Sequence, residues 1–318
     1  MRMIDAVLRH NFGWPTVINP IIPAFCETTE KGRYVNTKFA VVDPEQLGAL
    51  PKIVADNVAW FYYVENKKEY WDLHKDFGSF APPMPRFWVE YLLPDRAVSE
   101  ELGEVQLPGD TLRIYVGSLF DYWAYRDGWI LSVSCCTWES KTDILGPQMR
   151  CVQIQLDHDG NVSQSGPGGM IGTLLTIDLT SGRDEVDEDI GFYPFHPQLL
   201  AVSFMNCRNV ITQTVRPPQK LVARQIKRGA HPLVQYKIIK VVPFADKKRV
   251  LRAGAGEPAY HQSLHMVAGN IARYGPKYGT GLLFGKYEGQ FYRPAHLAGR
   301  LSEGLVVKDY EIEKPKPH

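Results

Sequence analysis

Residues 111–140 read TLRIYVGSLFDYWAYRDGWILSVSCCTWES. β-Branched and aromatic residues recur there with a period of two on both sides of YRDGW (125–129), and Asp-Gly is favoured chemistry for a tight hairpin turn. The stretch predicts two antiparallel strands. Outward from it the same alternation runs through RFWVEYLL (86–93), RCVQIQL (150–156) and GTLLTIDLT (172–180), so residues 85–180 are expected to be sheet. LDHDGNV (156–162) supplies a second turn, and the whole reads as an antiparallel meander or a strongly curled sheet.

The flanks carry different signals. The first forty residues mix short apolar pieces with Pro, Gly and Asn and read as turns and brief strands. In VVDPEQLGALPKIVADNV (41–58), Asp43 can cap a helix, Pro44 suits its first position and Glu45 its positive first turn, while Pro51 ends or kinks it. SGRDEVDEDIG (181–191) reads as an acidic loop. In HPQLLAVSFMNCRNV (196–210), Leu199, Leu200, Val202, Phe204, Met205 and Val210 have the spacing of a mostly buried helix. RPPQKLVARQIKRGAHP (216–232) predicts a short basic helix stopped by Gly229, and LVQYKIIKVVPF (233–244) a strand.

Length and composition fit this picture. The 318 residues are 44% apolar and 22% charged, the range of a globular protein with ample core. No run approaches the roughly 18 apolar residues of a membrane span, and MRMIDAVLRHNFGW has no signal-peptide core, so a cytoplasmic protein without membrane contact is expected. The five cysteines are odd in number and lack a CxxC pair, which points to buried free thiols, with Cys135 and Cys136 on opposite faces of a strand. The expected fold class is α+β: a largely antiparallel sheet with packed helices and a C-terminal helix-plus-strand element. A sheet-rich region (1–195) would be followed by a C-terminal region (196–318), or the two would interlock as one domain.

Candidate chemistry gathers near the end of the chain. Taken as a helix over Ala259–Arg273, the segment YHQSLHMVAGNIARYG puts Leu264, Val267, Ala268 and Ile271 on one stripe, with His261, His265 and Gly269 along its flank. HQSLH (261–265) resembles the zincin motif, but Gln262 stands where that motif needs a glutamate base, and no metal or cofactor is expected. Further on, LLFGKYEGQFYRPAHLAGR (282–300) offers Lys286, Tyr292, His296 and Arg300. Folded together, these residues would suit a phosphate, with His265 and His296 as acid and base; His261, Asn270, Lys286, Tyr292 and Arg300 would hold the substrate. Glu90, between Trp88 and Leu92 on a strand face, is a third catalytic candidate, because burial would raise its pKa. Packing histidines and an ordinary strand glutamate are the plainer readings of the same residues.

The C-terminal third resembles a group of uncharacterised phage, prophage and bacterial proteins whose endings run H-x-x-R-G-H-F-x-x-Y, then L-F-G-K-x-x-G, then H-x-R-G. The match is carried by His265, Gly269, Tyr274, Leu283, Phe284, Gly285, Lys286, Gly289, Phe291, His296 and Gly299. Ala268, Asn270 and Ala298 depart from the arginine, histidine and arginine of that pattern. The resemblance implies a mobile-element setting, and the departures a weakened active site.

Net charge hides a basic block. From Arg216 to Arg252 eleven Lys or Arg residues face one acid, Asp246, although the whole chain carries only +1. Arg224, Lys227 and Arg228, with Lys247, Lys248 and Arg249, would attract phosphate backbones if they share a face. The expected function is therefore binding of nucleic acid or a nucleotide, with His-dependent phosphodiester chemistry as its catalytic form. The rival is a non-enzymatic interaction protein that occupies a host protein or sequesters a small signalling molecule.

Overall fold

The computed structural model describes residues 2–17, 39–65, 73, 76–94, 113–125, 127–146, 148–163, 172–178, 184–186, 195–229, 233–241, 263–267, 269–278, 288–293, 296–298 and 300–305. Helix α1 (Met3–Arg9) is followed by β1 (Trp14–Val17) and β2 (Phe39–Val42), which pair antiparallel. Helix α2 (Pro44–Ala49) starts as its sequence dictates, with Asp43 Oδ1 accepting the Gln46 amide at 2.8 Å. Leu50 is already extended, because the residue before a proline is driven out of the helical region. Next come β3 (Lys52–Val54), α3 (Asp56–Trp60) and a π-helical turn (Phe61–Glu65).

The long strands follow: β4 (Arg86–Leu92), β5 (Ile114–Tyr125), β6 (Gly128–Glu139), the short β7 (Ile144–Leu145), β8 (Gln148–Leu156), β9 (Gly172–Asp178) and β10 (Asp184–Val186). Beyond them lie α4 (His196–Met205), β11 (Val210–Val215), α5 (Gln219–Lys227) and β12 (Tyr236–Val241). One sheet has the order β10-β9-β8-β6-β5-β4-β3-β12-β11, with β7 on the side of β6. It is antiparallel except where β3 runs parallel to both β4 and β12. Strands from both sides of residue 195 thus share one sheet.

Both faces of this sheet are covered, so β4 to β6 are buried almost continuously rather than alternating with solvent. On one face Val116, Phe120, Val133 and Val152 pack under α3 and α4. On the other, Trp88, Leu119, Trp138 and Met149 pack under α1 and β1, where Trp14 meets Trp88 edge-on at 4.7 Å. Cys135 belongs to the first core and Cys136 to the second; both are free and buried, as are Cys151 and Cys207. Burial pushes the thiols of Cys135 and Cys136 up to about 12, which leaves them unreactive.

One expectation is met with an added constraint, and two change. The YRDGW hairpin forms, with Tyr125 opposite Gly128, but Gly128 is needed for close approach: a Cβ there would lie 2.1 Å from the Leu156 carbonyl oxygen of β8. The acidic 181–191 stretch is not all loop, since Asp184–Val186 pairs with β9 as the sheet edge. The helix expected over Ala259–Arg273 is replaced by β13 (Ser263–Val267) and β14 (Asn270–Tyr274), followed by β15 (Gly289–Arg293), β16 (His296–Ala298) and β17 (Arg300–Leu305). The C-terminal element is therefore strand without helix among its described residues. Flanking strands supply the backbone partners: β13 takes β16 on one side and β17 on the other, and β14 takes β15.

Candidate functional site

Glu90 lies on β4 beneath the first turn of α1. Its Oε2 accepts the Ile4 amide at 2.9 Å and the Trp88 indole N–H at 3.0 Å. Among the described residues its Oε1 has no hydrogen-bond partner, and it faces Arg2 Nε at 3.9 Å. Arg2 is itself forked onto Asp56 at 3.1 and 2.8 Å and lies over the ring of Tyr236. Burial pushes the Glu90 carboxyl up to about 7, against the opposing pull of the Ile4 and Trp88 donors and of Arg2. The raised value anticipated from the strand pattern is found. The immediate surroundings are a helix end, an indole and a guanidinium, and the residue is 1% exposed.

In the C-terminal element, His265 stands opposite Ala298 and His296 opposite Val267 on the paired strands β13 and β16. The two histidine positions share parity and are one diagonal apart, a separation of roughly 7–8 Å across an antiparallel pair. Arg300 opens β17 opposite Ser263. Asn270 opens β14, exposed and opposite Arg293. His261 and Lys286 lie outside the described residues.

Tyr292 is placed in the aromatic core. Its ring lies 5.6 Å from Phe61 and 4.6 Å from Phe204, both edge-on, and burial pushes its hydroxyl up to about 12. Gly269 admits this tyrosine, since a Cβ there would lie 2.6 Å from Tyr292 Oη and 3.2 Å from Phe61. The β14–β15 hairpin is fastened to the main body by amides. Asn209 donates to the Tyr292 carbonyl at 2.7 Å and accepts its N–H at 2.9 Å, acting as one residue of a neighbouring strand. Gln290 donates to the Ser203 carbonyl at 2.8 Å and accepts the Ser79 amide at 2.7 Å.

No known protein family, curated protein or solved structure matches the chain.

The basic candidates divide in the same way. Arg224, Lys227 and Arg228 are exposed on or just beyond α5, where no residue of the helix is buried. At about 100° per residue, Lys220, Arg224, Lys227 and Arg228 fall within an arc of about 100°. Lys247, Lys248 and Arg249 lie outside the described residues. Lys240 is exposed on β12, whereas Lys237 is only partly so.

Sequence reasoning missed two polar groupings, one partly and one wholly buried. One is the Arg2–Asp56–Glu90 cluster, assembled from segments 54 and 34 positions apart with no shared motif. The other pairs the Tyr62 hydroxyl with His196 Nδ1 at 2.8 Å, at the π-helical turn and the start of α4. Burial lowers His196 to about 4, so its ring is neutral at ordinary pH. The signal available for the second was a polar residue at the head of a helix whose every position from His196 to Phe204 is buried.

Proposed function

We propose that the protein binds nucleic acid through the exposed basic arc of α5. The carrying observation is that Lys220, Arg224, Lys227 and Arg228, preceded by Arg216, are all exposed, with no acid in the helix. Among the described residues no ion-pair partner has to be shed when such an arc meets a phosphate backbone, and counterion release makes the affinity fall with salt. A phage or other mobile-element setting accords with the C-terminal resemblance. Hydrolysis of the bound phosphodiester, if the protein performs it, would fall to His265 and His296, whose register makes them neighbours on β13 and β16.

The test is fluorescence anisotropy of a labelled duplex over a salt series. Wild-type protein should bind at low salt with a steep negative slope. The Arg224→Glu/Lys227→Glu/Arg228→Glu variant should lose most affinity and flatten the slope by about 0.9 for each phosphate it no longer neutralises. Equal binding by the variant, or none by wild type at low salt, sinks the reading.

A second reading has its own observation. Leu221 and Ile226 on α5 are 46% and 60% exposed, more apolar surface than a phosphate backbone would cover. That face favours docking to a host protein. It predicts that Leu221→Ser/Ile226→Ser leaves nucleic-acid affinity intact.

A further inference from the structure

The two ends of the large sheet differ in character. At one end β11 has β12 as its one strand neighbour among the described residues, and the register is regular over all six pairs from Val210–Val241 to Val215–Tyr236. The strand reads VITQTV, with five β-branched residues and neither a charge nor a proline. Ile211 through Thr214 are exposed, Ile211 by 50%. Sheet edges are ordinarily blunted by a proline, a charge or a bulge, and β11 contains none of these.

Two hydrogen bonds fix which backbone groups this edge offers. The Val210 N–H donates to the Cys207 carbonyl at 3.0 Å, and the Ile239 carbonyl, opposite Thr212, accepts Asn57 Nδ2 of α3 at 2.8 Å. Val210 and Thr212 therefore stand at non-hydrogen-bonded positions against β12. The alternation of an antiparallel ladder then turns the N–H and C=O of Thr212 and Thr214 toward the open side.

Charge selects the strand that can dock there. From Arg208 to Val241 the chain has eight Lys or Arg residues and no acid. Three of these cations are exposed beside β11: Arg208 two residues before it, Arg216 directly after it, and Lys240 across from Ile211. A second β11 would bring the same cations against them. The opposite end of the sheet is complementary: β10, which has β9 as its neighbour, lies within RDEVDED (183–189), five acids and one arginine. Unlike charges across paired strands stabilise the pair, and like charges destabilise it.

We propose that β11 is the docking edge for the acidic β10 of a second copy of this chain, so that sheets join end to end. Such a contact is heterologous: every added copy still presents one free β10 or one free β11, and assembly continues past the dimer. A three-residue strand set against a six-residue one falls short of the roughly 1,200 Å² of a stable complex, so the association is weak and concentration-dependent. The joint uses the backbone of β11 and not the α5 arc, so it stands or falls separately from the nucleic-acid reading.

The experiment is sedimentation velocity of the nuclease-treated full chain over a concentration series. At about 0.01 M salt the weight-average mass should rise beyond that of a dimer. At about 1 M salt, where the Debye length has fallen from about 30 to about 3 Å, that growth should be largely lost. Thr212→Pro removes one outward N–H and leaves the β12 ladder intact, while Asp184→Lys/Glu185→Lys reverses the charge of the other edge; each should stay monomeric where wild type assembles. An equimolar mixture of the two variants retains one intact β11 and one intact β10, and should form a dimer that grows no further. If a thermal melt shows that Thr212→Pro does not fold, Arg216→Glu/Lys240→Glu takes its place. Thr212→Pro should bind duplex DNA as wild type does, which separates the joint from the α5 reading. A wild type that is monomeric throughout, a β10 variant that assembles equally well, or growth that stops at a dimer of paired β11 edges overturns the proposal.

Discussion

The Trp88 indole donates to Glu90 two residues further along the same strand, and the same carboxylate oxygen receives the Ile4 amide from α1. This carboxyl therefore ties the N-terminal helix to the sheet at a point that water does not reach. Its pKa is raised from 4.5 to about 7, so the folded state holds a proton over a range in which the unfolded chain has released it. The associated stability is fully present below the unfolded value and is lost as pH rises through the folded one. At one pKa unit per 1.36 kcal/mol the loss between pH 4.5 and above 7 is about 3 kcal/mol. Urea midpoints should fall over that window in the wild type, and the dependence should flatten in Glu90→Gln. A variant with the same pH profile as wild type would show that the carboxyl is ionised throughout.

His196 acts with the opposite sign. Burial lowers its pKa from 6.5 to about 4, so its contribution is present above the unfolded value and lost as pH falls toward the folded one. Acid unfolding should begin in that interval. Tyr62→Phe removes the hydroxyl that lies 2.8 Å from Nδ1, and a buried ring nitrogen that loses its hydrogen-bond partner costs about 1–3 kcal/mol. A thermal melt at neutral pH reads the loss, and no change in melting temperature would mean that another donor takes over.

The attachment of the β14–β15 hairpin rests on side-chain amides where a strand would otherwise be. Asn209→Ala removes both bonds to Tyr292 and leaves its N–H and C=O buried without that partner. A cost of about 2–6 kcal/mol follows from two such losses. Hydrogen exchange should show Tyr292 losing protection before the β5–β6 strands do. Loss of protection at both together would mean that the hairpin and the main sheet unfold as one unit.

What is legible in the chain follows physical range. The period-two pattern of β4 to β9, the Asp43 cap and the apolar run of α4 are local, and each is found where its residues place it. Residues 259–273 mislead because Leu264, Val267, Ala268 and Ile271 satisfy a helical stripe as well as two short strands. Partners thirty residues away in β16 and β17 decide between the two, and spacing within the segment carries no trace of them. For the same reason Glu90 can be singled out as a strand carboxylate, while Arg2 and Asp56, which set its surroundings, cannot.

The replacement of that helix by strands alters the test of the histidines. The acid–base pair expected from the sequence, His265 and His296, now occupies diagonal positions of the paired strands β13 and β16. If the two act as acid and base, loss of either should abolish hydrolysis of a phosphodiester probe such as bis(p-nitrophenyl) phosphate. Wild-type turnover should then show a bell-shaped pH dependence, because one imidazole must be charged and the other neutral. Affinity for duplex DNA should be unchanged in His265→Ala and His296→Ala, since α5 is intact in both. Wild-type protein that binds DNA but never turns over the probe would leave α5 as a binding element and remove catalysis from these strands. Turnover that survives His296→Ala would break the pairing and leave the register without chemical consequence.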